Sequence, residues 1–501
     1  MFSPKAKIKK ILETKIFWIL FLGLIVLVFW FPTRDTPYWW DSAGYVVHAA
    51  RYYVNTNFSS IFLPSDSVIT AFAHPPLFVF SLALVWKIFG ESLLISHLFY
   101  LIFILLAVIF TYLLGKKVAN FKNEITNNLI GFSAAILLFF SPVFLAQTGI
   151  VYPEIPIAAF SVMAIYFFLD KRVKWYLLSA SLLLFTKESS IVIILAILAS
   201  ILIQFSTNFL KNRKGDFKLL AKNLFLYGSP IFLLIIWFIW HKIATGWMFV
   251  MPYYQEQVTK QAFSFWKTFH VLKFFFWEQG RFIITIFIIS FFSVAIFKIK
   301  LRKKILKQKK LIPISLVILA VLFLFCIVDF LHRYIIFGLP FLYIIFLCLF
   351  GLAFQRRRTL AVVLALLILL PAFFSQWDNH REINNWHFPP LEENLEYLDV
   401  IDIGKEMVSF VEKSYPEAVV YTAFPSDYML SESFQHYVSK SIEVHNCKNY
   451  RDGDKIDLIV FHFLSPPEIN CLQIMQKLKF LPVKTFEKNG KKMEIYKNPN
   501  S

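Results

Sequence analysis

Residues 74–90 read HPPLFVFSLALVWKIFG, from His74 to Gly90, and whether this stretch crosses a membrane decides how the rest of the chain is threaded. A helix needs about 20 apolar residues to cross the hydrocarbon of a bilayer. This run is shorter, starts at Pro75-Pro76, ends at Phe89-Gly90 and carries Trp86 and Lys87. It therefore reads as an interfacial helix along the outer leaflet, not as a span. Eleven other apolar runs read as spans: Ile16 to Phe31, Ser92 to Leu114, Leu129 to Leu145, Ile155 to Leu169, Trp175 to Phe185, Ser189 to Ile203, Leu224 to Trp240, Phe282 to Phe297, Leu311 to Phe330, Tyr334 to Phe354 and Leu360 to Phe374. The fifth is short and meets the sixth at a tight turn.

Basic residues test this threading, because loops rich in Lys and Arg stay inside the cell. With Met1 to Lys15 placed inside and residues 74–90 left out of the count, 27 basic residues fall on the inner face, against 10 between the spans on the outer one. Counting residues 74–90 as a span would invert every later loop and put Lys116 and Lys117 outside. No small-residue cleavage site follows Phe31, so the first run reads as a retained span and not as a signal peptide.

Composition agrees. Of the 501 residues 58% are hydrophobic and 17% charged, whereas about a quarter are charged in a soluble domain. The net charge of +19 is not a nucleic-acid footprint: residues 1–375 carry 37 basic and 13 acidic residues, or +24, and the remainder 14 and 19, or −5. Four Cys exclude a covalent scaffold. Cys447 and Cys471 lie in the polar tail and would pair only in an oxidising space. Beyond Ser375, Leu395 to Tyr415 has helical spacing, Ala418 to Phe424 and Asp457 to Phe463 read as strands, and Asn489-Gly490 marks a hairpin. The expected organisation is an all-α polytopic membrane domain, 1–375, with an outer loop at 32–91, followed by a small extracytoplasmic α/β domain, 376–501.

The threading brings Asp41, His48, His74, Glu154, Lys187, Glu188, Asp329, His332 and Arg333 to one level on the outer face. Ionisable groups at a membrane are costly without partners or work to do. Asp41, in Tyr38-Trp39-Trp40-Asp41, reads as a helix cap or as a partly desolvated base. Glu154 opens the fourth span as a first-turn carboxylate or as a functional acid. Lys187 pairs with Glu188 or binds an anion, and Arg333 anchors the interface or forks onto a phosphate. His74 reads as structural or as part of a site. Together with the amphipathic helix they describe a site for a lipid with an anionic head group.

At these residues the chain resembles the GT-C superfamily of membrane glycosyltransferases, in particular the group with the protein O-mannosyltransferases and the aminoarabinose transferases that modify lipid A. The resemblance rests on Asp41 followed by Tyr45, on His74-Pro75-Pro76-Leu77 with Phe89-Gly90, and on Ser141-Pro142. It continues through Glu154-Ile155-Pro156 and Thr186-Lys187 to Arg333-Tyr334 with Pro340. Ser42 stands where many relatives have a second acid, and Gly44 where the aminoarabinose transferases have Arg.

The resemblance implies an inverting transfer of a sugar from a polyprenyl-phosphate donor to a hydroxyl of a lipid, glycan or protein acceptor. The plasma membrane is the expected location, with the active site on its outer side. Asp41 would be the base and Glu154 would orient the acceptor. Tyr45, His74, Lys187, Arg333 and Tyr334 would bind substrate, the cations at the phosphate. No cofactor or obligatory metal is expected, although Asp41, His48, His74 and Glu154 include possible ligands. The rival readings are a transporter or lipid flippase, with ionisable residues in mid-span or broken helices at matching positions, and a scaffold that recruits other proteins through its tail.

Overall fold

The computed structural model describes residues 10–64, 74–212, 215–249, 251, 264–306, 308–328, 330–354, 392–462 and 469–500. The expected span Leu360 to Phe374, Asp329 and the last residue of the strand expected at Asp457 to Phe463 lie outside them. The chain divides into two compact units, Met1–Arg34 with Ala49–Trp377, and Asp35–His48 with Asp378–Ser501.

The first unit is helical. Its helices are α1 (Lys15–Trp30), α2 (His48–Asn55, which starts at the last residue of the other unit), α3 (Leu77–Phe89), α4 (Leu93–Ala119), α5 (Glu124–Phe139) and α6 (Pro142–Gln147). They are followed by α7 (Glu154–Leu169), α8 (Val173–Thr186), α9 (Ile191–Asn212), α10 (Phe217–Gly228) and α11 (Pro230–Thr245). The last are α12 (Phe265–Phe276), α13 (Phe282–Phe297), α14 (Ile299–Leu306), α15 (Leu311–Ile327) and α16 (Leu339–Phe354). Among the described residues three helices are long and apolar enough to cross a membrane unaided, Lys15–Thr33, Leu93–Ala119 and Glu188–Lys211. The pair α10 and α11 passes together, bent by 47°, and α3, α5, α7, α8, α13, α15 and α16 are shorter apolar helices.

Helix α3 sits where the interfacial helix was expected. At 1.5 Å per residue, its 13 residues reach only about 20 Å. Gly90, at φ +88°, stops it. One face buries Phe78, Val79, Leu82, Ala83 and Trp86, and Trp86 Nε1 donates to Ser96 Oγ at 2.8 Å. Helices α4 and α5 meet where Gly115 faces Gly131, with no side chain between them. Three expected spans need correction. Leu129 to Leu145 is interrupted at Phe140-Ser141, and Leu224 to Trp240 at Ser229, because Pro142 and Pro230 each open a new helix with a nitrogen that has no proton to donate. Tyr334 to Phe354 begins as a 3₁₀ turn, His332–Phe337, ahead of α16.

The second unit carries α17 (Tyr397–Ser414), α18 (Ser426–Ser431), α19 (Ile469–Leu478) and the strands β1 (Val420–Thr422), β2 (Val444–Asn446), β3 (Leu458–His462), β4 (Leu481–Lys488) and β5 (Lys491–Lys497). The sheet order is β2-β1-β3-β5-β4, parallel from β2 to β3 and antiparallel beyond. Asn489 at φ 48° and Gly490 at φ 74° turn β4 into β5, as their sequence signals. Ile459 and Phe461 share a core with Ile474, Phe480 and the Cys447–Cys471 disulfide, whose Cα atoms are 5.2 Å apart. Helix α17 packs on β4 and β5, where Lys491 Nζ meets Glu396 at 2.8 Å, both buried. His462 ends β3, and burial pushes its imidazole down to about 4.

Candidate functional site

Three helix ends converge in the first unit. Glu154 is the first residue of α7, behind Tyr152-Pro153, where the helix dipole favours a carboxylate. Lys187 stands in extended conformation just after α8. Its corner is pinned by Ser190 Oγ, which lies 2.7 Å from the Lys187 carbonyl and 3.0 Å from that of Leu183. Arg333 lies in the 3₁₀ turn before α16.

Glu154 Oε1 lies 3.5 Å from Lys187 Nζ and 3.6 Å from Arg333 Nε. The side chains of Glu154 and Arg333 are 0% and 2% exposed, and that of Lys187 15%. The cations also lie on aromatic faces, Lys187 Nζ 4.2 Å from the Tyr334 ring and Arg333 Cζ 4.7 Å from that of Tyr152. Lys187 and Arg333 share one carboxylate oxygen at distances longer than strong ion pairs adopt, and Glu188 acts on Lys187 from the next position in the chain. Among the described residues, Glu154 Oε2 is buried with no hydrogen-bond partner, a cost that an incoming hydroxyl would remove. The arrangement suits an anion at the cations and a hydroxyl at the carboxylate.

Of the residues singled out in the sequence, Glu154, Lys187, Arg333 and Tyr334 are thus brought together. His74 is held by Glu188 instead, its Nδ1 2.8 Å from Oε2, while Glu188 follows Lys187 in the chain. Asp41 and Tyr45 belong to the second unit. Trp40, at φ 50°, is left-handed, and Ser42–Val47 forms one turn of π-helix. Among the described residues, no three His, Cys, Asp or Glu form a group able to hold a metal ion.

No family model matches the chain, and no curated protein does. Solved structures do match. ArnT from Cupriavidus metallidurans bound to undecaprenyl phosphate aligns over 97% of this chain and 98% of its own, with 12% identity and a TM-score of 0.58. Its apo state aligns over 96% and 98%, at 13% and 0.53. The Archaeoglobus fulgidus oligosaccharyltransferase in complex with Zn and sulfate aligns over 88% and 67%, at 13% and 0.51.

The chain has the GT-C fold.

Within this GT-C fold, two neighbours of the residues singled out escaped the sequence reading. Tyr152, which faces Arg333, stands two residues before Glu154, so its signal was local. His270, on α12, lies with Nε2 3.0 Å from His332 Nε2, and Phe274 stacks on His332 at 3.8 Å. Nothing in the spacing of α12 ties it to His332, 62 residues later.

Proposed function

We propose that this protein is a glycosyltransferase that moves a sugar from a polyprenyl-phosphate donor to an acceptor hydroxyl on the outer face of the plasma membrane, with inversion at the anomeric carbon. The observation that carries the reading is the buried Glu154 carboxylate shared by Lys187 and Arg333 in a chain of GT-C fold. A departing lipid phosphate needs cations to take up its charge and no general acid. Lys187 supplies a point charge and Arg333 a fork of donors. His74, kept in place by Glu188, joins the donor-binding set. Glu154 accepts a hydrogen bond from the acceptor, and Asp41 removes the proton of the attacking hydroxyl. Tyr45 and Tyr334 contact substrate. The Cys447–Cys471 disulfide supports an oxidising, extracytoplasmic setting for the tail.

The test is native mass spectrometry of the purified chain with undecaprenyl phosphate, together with sugar transfer from synthetic undecaprenyl-phosphate sugars. Arg333→Ala is expected to weaken the bound lipid about tenfold or more. Asp41→Asn is expected to keep the lipid and lose transfer. Equal binding by wild type and Arg333→Ala, or full transfer by Asp41→Asn, defeats the corresponding role.

A further inference from the structure

The segment that carries Asp41 has a backbone that local sequence does not pay for. Trp40 is a bulky residue at φ 50°, a region such side chains rarely enter. The π-turn Ser42–Val47 follows at once, and π-turns are rare. Such conformations persist where the surroundings over-determine them.

The surroundings here are a short stretch of the C-terminal unit. Trp40 N donates to Tyr428 Oη at 3.3 Å. Gln435 Nε2 donates to the Ala43 carbonyl at 3.1 Å and to Glu432 Oε2 at 2.8 Å. Glu432 Oε2 in turn lies 3.1 Å from His48 Nε2, just past the π-turn. Residues 428–435 thus grip the segment before, within and after the turn. The Trp40 ring meets Phe424 edge-on at 4.7 Å, and Tyr437 Oη donates to the Tyr38 carbonyl at 3.2 Å.

The grip sits at a telling place in the sheet. β1 leads on to β2 at one edge of the sheet and β3 to β4 at the other, so the strand order reverses between β1 and β3, where open α/β sheets take ligands at the carboxyl ends. Phe424 follows β1 there. The chain's own segment packs on that end. From Tyr38 to His48, only Asp41, Gly44, Tyr45 and His48 keep partial exposure. That spacing forms one stripe of a helical turn, with Asp41 and Tyr45 on it.

We propose that the C-terminal unit is a clamp for the base-bearing segment, with Tyr428 and Gln435 as positioning residues that set the place of Asp41. The proposal rests on the reading of Asp41 as the base. Tyr428→Phe removes the acceptor for Trp40 N and keeps the ring. Gln435→Met removes the donor to Ala43 and keeps the length.

The full-length wild type and both variants are compared by amide hydrogen exchange and by transfer from a synthetic undecaprenyl-phosphate sugar. Exchange over residues 40–48 is expected to quicken about tenfold while β1 and β3 stay protected. The kcat is expected to fall about tenfold or more, with the donor KM held within about twofold. Unchanged exchange in both variants overturns the clamp, and so does a loosened segment with unchanged kcat. Loosening that spreads to β1 and β3 makes the two residues ordinary core and overturns it as well. Full transfer by Asp41→Asn defeats the base reading instead, and leaves the exchange result to be judged alone.

Discussion

Glu154 shows how one residue balances a site. Its Oε1 faces both Lys187 and Arg333, and removing one partner of a buried ion pair typically costs about 3–5 kcal/mol because the other charge stays buried. Glu154→Gln takes away the carboxylate that Lys187 and Arg333 share. The ligand-free variant should therefore melt well below wild type. A lipid phosphate restores the missing negative charge, so undecaprenyl phosphate should raise the melting temperature of the variant by more than it raises that of wild type, since a ligand stabilises in proportion to its affinity for the folded state. Transfer should be lost although the donor binds more tightly. Thermal-shift titrations on the two proteins check the sign, and an equal shift in both removes Glu154 from the charge balance of the site.

At the scale of elements, packing depends on a few close approaches. A Cβ built on Gly131 in α5 would run into the Tyr112 carbonyl oxygen of α4 and lie 3.0 Å from Lys116 N. Both are backbone atoms that cannot turn aside, and small residues at such crossings are how membrane helices approach. Gly131→Ala should destabilise the detergent-solubilised chain by about 1–3 kcal/mol, the usual range for overpacking. An unchanged melting temperature would mean that α4 and α5 do not meet at these glycines. Much at this scale was legible in the sequence. Ten of the expected apolar runs fall largely on helix, two of them with a break and one with a 3₁₀ start, and Leu360 to Phe374 lies outside the described residues. The Pro75-Pro76 start and Gly90 stop bound α3, and Asn489-Gly490 turns the hairpin. The breaks at Ser141 and Ser229 were signalled by the prolines that follow, but hydropathy runs smoothly across both. Strand β2, three residues long, is too short for any alternation to register. The site was legible as a set of charges on helix ends. Its pairings were not, because sequence does not say that Glu154 chooses Lys187 and Arg333 while Glu188 takes His74.

At the scale of the molecule, the least legible feature is the return of residues 35–48 to the C-terminal unit, across the 392 residues that separate Ala43 from Gln435. No local pattern encodes such a contact; it follows from the burial of Tyr38, Trp39 and Trp40, which the short loop after α1 cannot provide for itself. The same unit is closed by Cys447–Cys471, 24 residues apart. Closing a loop of that size contributes about 3–4 kcal/mol in the chain-entropy account, which is large beside the total stability of a small domain. The bond holds β2, through the turn after it, to α19, and so supports the sheet whose carboxyl ends carry the grip on Trp40 and Ala43. Reduction, or Cys447→Ala with Cys471→Ala, should lower the melting temperature and speed proteolysis within 440–475. Binding of undecaprenyl phosphate should persist, because Glu154, Lys187 and Arg333 belong to the other unit. Transfer should fall through kcat, since the segment that bears Asp41 loses its support while the phosphate ligands keep theirs. Parallel measurement of lipid binding and turnover on the reduced chain decides the matter, and a loss of lipid affinity equal to the loss of turnover would show that the tail supports the whole site and not the base alone.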